Sequence, residues 1–154
     1  MYKKRIKTFI ELMNKNNVTW IKASELKSPE DKYDDEFFEE IQRMGHREYL
    51  NIKSYSHTHD LDILLTSKGA FFGKEYIADY EDIFNDTVSL IGSENSSLTD
   101  VASISGNLKV PYAFVGAVFE DLANRNLVDI TSGAGGIRIT NFTERGIDYF
   151  SNLK

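Results

Sequence analysis

LTSKGAFF (Leu65–Phe72) is the stretch that decides the fold, and a related stretch, FTERGIDYF (Phe142–Phe150), follows it 77 positions later. Each begins with an apolar residue, a threonine, one variable residue, a basic residue and a glycine, and then continues in small or apolar residues and aromatics. A threonine after a strand caps the first turn of a helix, and an apolar stripe continues that helix. Two such endings predict that one folding unit was used twice.

The composition is that of an ordinary globular protein. The 154 residues are 41% hydrophobic and 27% charged, and this length fits one medium domain or two small ones. The absence of cysteine excludes disulfides and thiolate metal sites, and it fits a cytoplasmic location. Because no apolar segment follows the basic start and no 18-residue apolar run exists, we expect neither a signal peptide nor a membrane span.

The net charge of −6 is unevenly distributed along the chain. Residues 1–77 hold 13 basic and 13 acidic side chains, net 0, whereas residues 78–154 hold 5 and 11, net −6. A protein that binds nucleic acid mainly by charge presents one basic face. The charge therefore weakens a nucleic-acid function without excluding it, since a local basic patch can suffice.

Hydrophobic periodicity predicts the elements of the first half. Apolar residues at i, i+3, i+4 and i+7 indicate a helix over about 3–15, and alternation with turn signals indicates two strands and a hairpin. In order, we predict a helix at 3–15, a short strand at Val18–Trp20, a short helix at Ile21–Leu26, a helix at Asp34–Met44 ended by Gly45, strands at Tyr49–Tyr55 and Leu61–Leu65, and a closing helix from Thr66 towards Tyr76.

A shift of 78 residues places apolar residues of the first half on apolar residues of the second. Ile10 meets Val88 and Ile41 meets Phe119, whereas the outer positions do not match. A duplicated fold that retains only its core pattern behaves in this way. The sequence therefore predicts two domains, residues 1–77 and 78–154.

The order helix, short strand, helix, helix, strand, turn, strand, helix resembles the winged-helix domain. The second half shows it best, in a helix start at Ser97–Ala102, a helix entry with proline at or near its first turn at Val110–Tyr112, the run Phe119–Val128, and the strand Ile137–Thr140 before the Thr143 motif. Asn126 lies where the family more often has glycine. The resemblance covers nearly the whole chain. It implies an α+β, mostly helical fold of tandem winged-helix domains, which in this superfamily bind DNA, RNA or proteins.

The leading hypothesis is a small cytoplasmic DNA-binding protein, a transcriptional regulator of bacterial or phage type with double-stranded DNA as its partner. In a typical winged helix the third helix lies in the major groove. The candidate contacts are basic or polar residues near helix starts and in the second wing, namely Lys3, Lys4, Arg5, Lys7, Asn107, Lys109, Tyr112 and Arg138. The alternative for the lysine cluster is a solvated helix end.

The alternative function is a protein-interaction module, an adaptor or inhibitor that does not bind DNA. The third helix of the first half carries five carboxylates, Asp34, Asp35, Glu36, Glu39 and Glu40, opposed only by Arg43. The equivalent helix of the second half leaves Tyr112, Phe114 and Ala117 too apolar for a free surface, which predicts burial against the first half or in a homo-oligomer. A third hypothesis makes the acidic helix a decoy for a DNA-binding protein.

Catalysis and metal binding have little support in the sequence. His57, His59 and Asp60 lie close together, but His46 is the only other histidine, and a polar hairpin turn explains them more simply. The glycine-rich turn Ser132–Gly136 is followed by neither Gly-Lys-Ser/Thr nor a helix, so it is not a P-loop. We therefore expect no enzymatic activity, no metal and no cofactor.

Overall fold

The computed structural model describes residues 2–16, 18–53, 60–93 and 98–153. The chain is an α+β protein that is mostly helical, and it divides into two compact units, Met1–Ala78 and Asp79–Lys154. Within the described ranges there are seven α-helices and five strands, and all strand pairs are antiparallel.

Unit 1 (Met1–Ala78) is built from three helices and a three-stranded sheet. Its elements are α1 (Tyr2–Asn16), β1 (Trp20–Lys22), a 3-10 turn (Ala23–Leu26), α2 (Asp34–His46), β2 (Leu50–Lys53), β3 (Asp62–Leu65), α3 (Ser67–Phe72) and a second 3-10 turn (Lys74–Tyr76). The apolar stripe of α1 is buried as the periodicity predicts, and Phe37, Ile41 and Met44 bury one side of α2. The prediction of a first helix over 3–15 is thus confirmed to within one residue at each end.

The predicted helix at Ile21–Leu26 is wrong for its first two residues, which belong to β1. Strand β1 pairs with β3, and Ile21 lies opposite Ile63 in a sheet of order β1-β3-β2. Only Ala23–Leu26 is helical, as a single 3-10 turn. A β-branched residue with a buried strand beside it gains more from cross-strand pairing than from a helix too short to be stable.

Gly45 does not end the helix predicted at Asp34–Met44, because α2 continues to His46. The left-handed residue that follows the helix is Glu48, with φ of 66°. A Cβ on Gly45 would come within 2.7 Å of Ile52 Cδ1. The glycine allows the close approach of the Ile52 side chain of β2, and the predicted helix stop at Gly45 is wrong because α2 runs past it.

Unit 2 (Asp79–Lys154) is built from four helices and a two-stranded ribbon. Its elements are α4 (Tyr80–Ile91), α5 (Val101–Leu108), α6 (Tyr112–Asn124), β4 (Val128–Gly133), β5 (Gly136–Phe142) and α7 (Glu144–Ser151). Pro111 lies at the N-cap of α6, next to the predicted first turn. Helix α6 packs on α4, α5 and β4, and a single bridge between Asp100 and Arg138 adds a third extended segment beside β5.

Both threonine motifs form the predicted helix caps. Thr66 Oγ1 accepts a hydrogen bond from Gly69 N at 2.9 Å, and Thr143 Oγ1 accepts one from Gly146 N at 3.0 Å. Each hydroxyl also donates at 2.6 Å to a carbonyl oxygen of the segment after the preceding long helix, that of Glu48 or Asn126. A Cβ on either glycine would overlap a backbone carbonyl oxygen of that segment. The threonine hydroxyl thus links the helix start to the segment after the preceding long helix, and the glycine allows that segment to come close. The two residues therefore occur together in each motif.

Candidate interaction surfaces

Arg5 is part of the interior of unit 1. Its guanidinium makes five hydrogen bonds, at 2.5–3.0 Å, to Asp31, Glu40 and the carbonyl oxygen of Leu26. Its side chain is only 11% exposed, and its Cζ atom lies 4.8 Å from the centre of the Phe37 ring. The hydrogen bond to Asp31 raises the pKa of Arg5 and lowers the pKa of the Asp31 carboxyl from their ordinary values. Every guanidinium N–H is used, so we leave Arg5 out of any phosphate-binding surface.

The three lysines beside Arg5 are exposed, and each lies near a carboxylate of the same unit. Lys3 Nζ is 2.7 Å from Glu75, Lys4 Nζ is 3.2 Å from Glu30, and Lys7 Nζ is 3.9 Å from Glu11. The hydrogen bond to Glu75 raises the pKa of Lys3. The predicted basic cluster is therefore charge-compensated, and a phosphate would have to compete with these carboxylates for it.

The exposed face of α2 is acidic in its first half and basic in its second. We call this the α2 face; its exposed side chains are Asp34, Asp35, Glu36, Glu39, Gln42, Arg43 and His46. Asp34 pairs with Lys27, whereas Asp35, Glu36 and Glu39 make no ion pair within the described residues. The prediction of five outward carboxylates is wrong for Glu40, which is 4% exposed and bonded to Arg5.

Two neighbouring grooves run along the α2 face. One, of about 490 Å³, includes Tyr33 and Glu36 in its lining, and the other, of about 470 Å³, includes Asp35 and Phe38. Glu39 and Arg43 line both grooves. Tyr33 is 66% exposed, the most exposed of the large hydrophobic side chains among the described residues. The α2 face therefore combines two grooves, an exposed aromatic ring and carboxylates that pair with no described residue.

Helix α6 is buried along most of its length. All seven residues from Ala113 to Phe119 are buried, Phe114 at 4% and Ala117 at 0% exposure. The prediction that these apolar residues are buried is confirmed for Phe114 and Ala117 and is wrong for Tyr112. However, Phe114 and Ala117 are already buried within this chain, so the hypothesis that they form a contact with a second subunit is not retained. Tyr112, 37% exposed, is the accessible residue at the start of the helix.

Tyr112 joins the start of α6 to the β4–β5 hairpin. Its hydroxyl accepts a hydrogen bond from Ile137 N at 2.8 Å and packs so close to Gly136 that a Cβ there would lie 2.5 Å from it. Gly136 also has φ of 93°, a conformation that favours glycine. Arg138 follows on the same strand; it is exposed and makes no ion pair with the described residues. Two of the predicted contacts thus lie at one end of unit 2.

Asn107 and Lys109 lie at the turn between α5 and α6. Both are exposed, and Lys109 caps the C-terminus of α5 in the left-handed conformation, with φ of 58°. Lys109 makes no ion pair within the described part of the chain. Together with Arg138 it supplies two uncompensated cations in a unit whose other charges are mostly acidic.

The histidine pair proposed as an unlikely metal site, His57 and His59, lies outside the described residues. Asp60 accepts hydrogen bonds from the backbone and hydroxyl of Ser24, and Asp62 pairs with Lys22. Within the described ranges no group of three histidine or acidic side chains is arranged to hold a metal ion. Both aspartates of this region have structural partners within unit 1.

Sequence reasoning missed the buried polar clusters. In unit 1 this is the Arg5 cluster, and in unit 2 it is Asp121, 2% exposed, which accepts hydrogen bonds from Tyr80 at 2.8 Å and Arg125 at 2.9 Å. Burial, together with the hydrogen bond to Asp121, raises the pKa of Tyr80. The available signal was position, because Glu40 lies one residue before Ile41 and Asp121 one before Leu122, beside core residues of their helices.

No helix in the described ranges is long and apolar enough to cross a membrane. No protein-family model matches the chain, and no curated protein is significantly similar to it.

Proposed function

We propose that this protein is a winged-helix protein-interaction module, and that the α2 face binds a partner protein rich in lysine or arginine. The observation that carries the proposal is the surface of α2 and α6, the helices that correspond to the third helix of a winged helix. Helix α2 presents unpaired carboxylates to solvent, and α6 is buried from Ala113 to Phe119. The exposed face of α2 is acidic over its first half and α6 is mostly buried, so neither helix offers the mainly cationic exposed surface with which a winged helix enters a major groove.

The chemistry of the α2 face favours a basic protein. Asp35, Glu36 and Glu39 would pair with cations of a partner, which gives specificity and faster association more than raw affinity. Tyr33 and Phe38 supply the aromatic surface on which protein interfaces usually concentrate their binding energy. A phosphate backbone would be repelled by the same carboxylates.

The experiment compares two variants with equal changes in charge. One carries Asp35→Asn, Glu36→Gln and Glu39→Gln on the α2 face, and the matched control carries Glu81→Gln, Asp82→Asn and Asp86→Asn on the exposed side of α4. Proteins captured from a lysate by the wild-type chain should be retained by the control and lost with the α2 variant. The purified partner must then bind the wild-type chain directly, and equal retention by both variants would refute the proposal.

The second candidate function is DNA binding by unit 2. It is favoured by one observation, the hydrogen bond from Ile137 N to the Tyr112 hydroxyl, which fixes the hairpin carrying Arg138 against the start of α6. A hairpin and a helix start held together form the DNA-contacting end of a winged helix. Lys109 and Arg138 would then contact phosphates.

Fluorescence anisotropy with a labelled random duplex discriminates the two functions. The interaction-module proposal expects no binding to the duplex at low salt. Binding that falls steeply as salt rises, and that Arg138→Ala weakens, would instead support the DNA-binding candidate. Lys15→Ala removes an equally exposed cation from unit 1 and is the matched control.

A further inference from the structure

A pocket of unit 2 lies where α6 ends and α7 begins, and we call it the α6–α7 pocket. It has a volume of about 370 Å³ and is lined by Asn124, Arg125, Asn126, Leu127, Arg145 and Tyr149. Every polar side chain in this lining can donate a hydrogen bond, and none is a carboxylate. The lining is therefore complementary to an anion, although unit 2 as a whole is acidic.

Both arginines of the pocket have guanidinium N–H groups that are available to a ligand. Arg145 is exposed, and its side chain makes no ion pair within the described residues. Arg125 is held in place, since its Nε donates to Asp121 Oδ1 at 2.9 Å and its guanidinium lies 4.8 Å from the centre of the Phe84 ring. The terminal nitrogens of Arg125 have no hydrogen-bond partner in the described chain. One guanidinium is thus pre-oriented and the other is free to close on a ligand.

Comparison of the two units shows what is missing beside Arg145. Asn126 and Glu48 occupy equivalent positions, because each carbonyl oxygen accepts from a capping threonine at 2.6 Å and each residue is left-handed, with φ of 60° and 66°. Lys68 follows its threonine as Arg145 does, and Lys68 Nζ lies 3.5 Å from Glu48 Oε2. In unit 2 an amide replaces that carboxylate, so Arg145 has lost the internal anion that Lys68 retains.

We propose that the α6–α7 pocket binds the phosphate group of a small ligand. A planar guanidinium donates two parallel hydrogen bonds to a phosphate, and Arg125 and Arg145 can approach the group from two sides. The amides of Asn124 and Asn126 and the Tyr149 hydroxyl supply further donors. The volume lies at the lower end of the range for small-molecule sites. This proposal is independent of the partner proposed for the α2 face.

The test is a titration of the ¹⁵N-labelled full chain followed by NMR, with inorganic phosphate and then phenyl phosphate at constant ionic strength. Saturable shifts are expected for the amides of residues 124–127 and 145–149. Arg145→Gln should weaken binding by at least about tenfold, because it removes a charge-assisted contact. Lys68→Gln, the same change at the equivalent position of unit 1, should leave the affinity unchanged.

A second variant restores the missing carboxylate. Asn126→Glu should pair Arg145 internally and abolish phosphate binding, while Glu48 shows that a glutamate fits this backbone conformation. Retained spectral dispersion would demonstrate that the variant is folded. The proposal fails if phosphate produces no saturable shift, or if Arg145→Gln or Asn126→Glu binds as the wild-type chain does. It also fails if a DNA duplex shifts these amides but neither inorganic phosphate nor phenyl phosphate does, since the ligand would then be a nucleic-acid backbone.

Discussion

Replacement of Arg5 by alanine should destabilise unit 1 severely. The substitution removes five hydrogen bonds and leaves Glu40, 4% exposed, without its cation. Glu40 Oε1 is buried and already lacks a hydrogen-bond partner, so no neighbouring donor stands ready to replace the arginine. Breaking a buried ion pair from one side costs about 3–5 kcal/mol. For a unit of this size, the melting temperature should fall by roughly 12–40 °C.

The assay is urea unfolding followed by the fluorescence of Trp20, the only tryptophan of the chain, which lies in unit 1. Lys4→Ala is the control, because Lys4 and its partner Glu30 are 65% and 80% exposed and such a pair contributes less than about 1 kcal/mol. If the cost arises from an uncompensated charge, adding Glu40→Gln to Arg5→Ala should recover part of the lost stability. A midpoint for Arg5→Ala no lower than that of Lys4→Ala would refute the reasoning.

Three further predictions concern the caps, the motif glycines and pH. Thr143→Val removes the cap of α7 and should cost about 1 kcal/mol or more in urea unfolding followed by circular dichroism; an unchanged midpoint would contradict the capping role. Gly146→Ala should cost more unfolding free energy, in the same measurement, than the about 1–3 kcal/mol that is typical of overpacking, because the new methyl group overlaps the Leu127 carbonyl oxygen. Gly133→Ala, whose Cβ would meet nothing within 4 Å, is its control and should be nearly neutral. Because the Asp31 pKa is lowered on folding, its stabilising effect is complete above the unfolded value of about 3.9 and is lost as pH falls below it. The difference in unfolding free energy between the wild-type chain and Asp31→Asn should therefore shrink from pH 5 to pH 2, and a constant difference would exclude this linkage.

The helix caps could be predicted from the sequence because their cause is local. A threonine, three residues of spacing and a glycine are sufficient to specify the hydrogen bond at Thr66 and again at Thr143. The apolar stripe of α1 is predictable for the same reason, since its period alone identifies the buried side. Local spacing thus accounts for the helices with the most accurate predicted boundaries.

The failures arise where distant residues decide the structure. Ile21 lies in a strand because β3, about forty residues later, pairs with it, and no local pattern contains that partner. In the sequence Arg5 is one of four neighbouring cations, but in the structure it is bonded to two carboxylates that lie far along the chain, at residues 31 and 40. A surface function assigned from charge clustering is therefore the inference most exposed to error, because clustering in sequence does not show which charges are already paired.

The two units share one local backbone arrangement and carry different charges on it. The backbone arrangement around each capping threonine is nearly the same, and it depends on a hydroxyl, a carbonyl oxygen and a missing Cβ. The charges attached to that arrangement differ, since Lys68 pairs with Glu48 in unit 1 and Arg145 pairs with no described residue in unit 2. Any partner that recognises side chains will therefore distinguish the units. Exchanging Glu48 and Asn126 between the units should accordingly pair Arg145 and release Lys68 while both caps remain intact, and the saturable phosphate shifts of residues 145–149 should then be lost in an NMR titration.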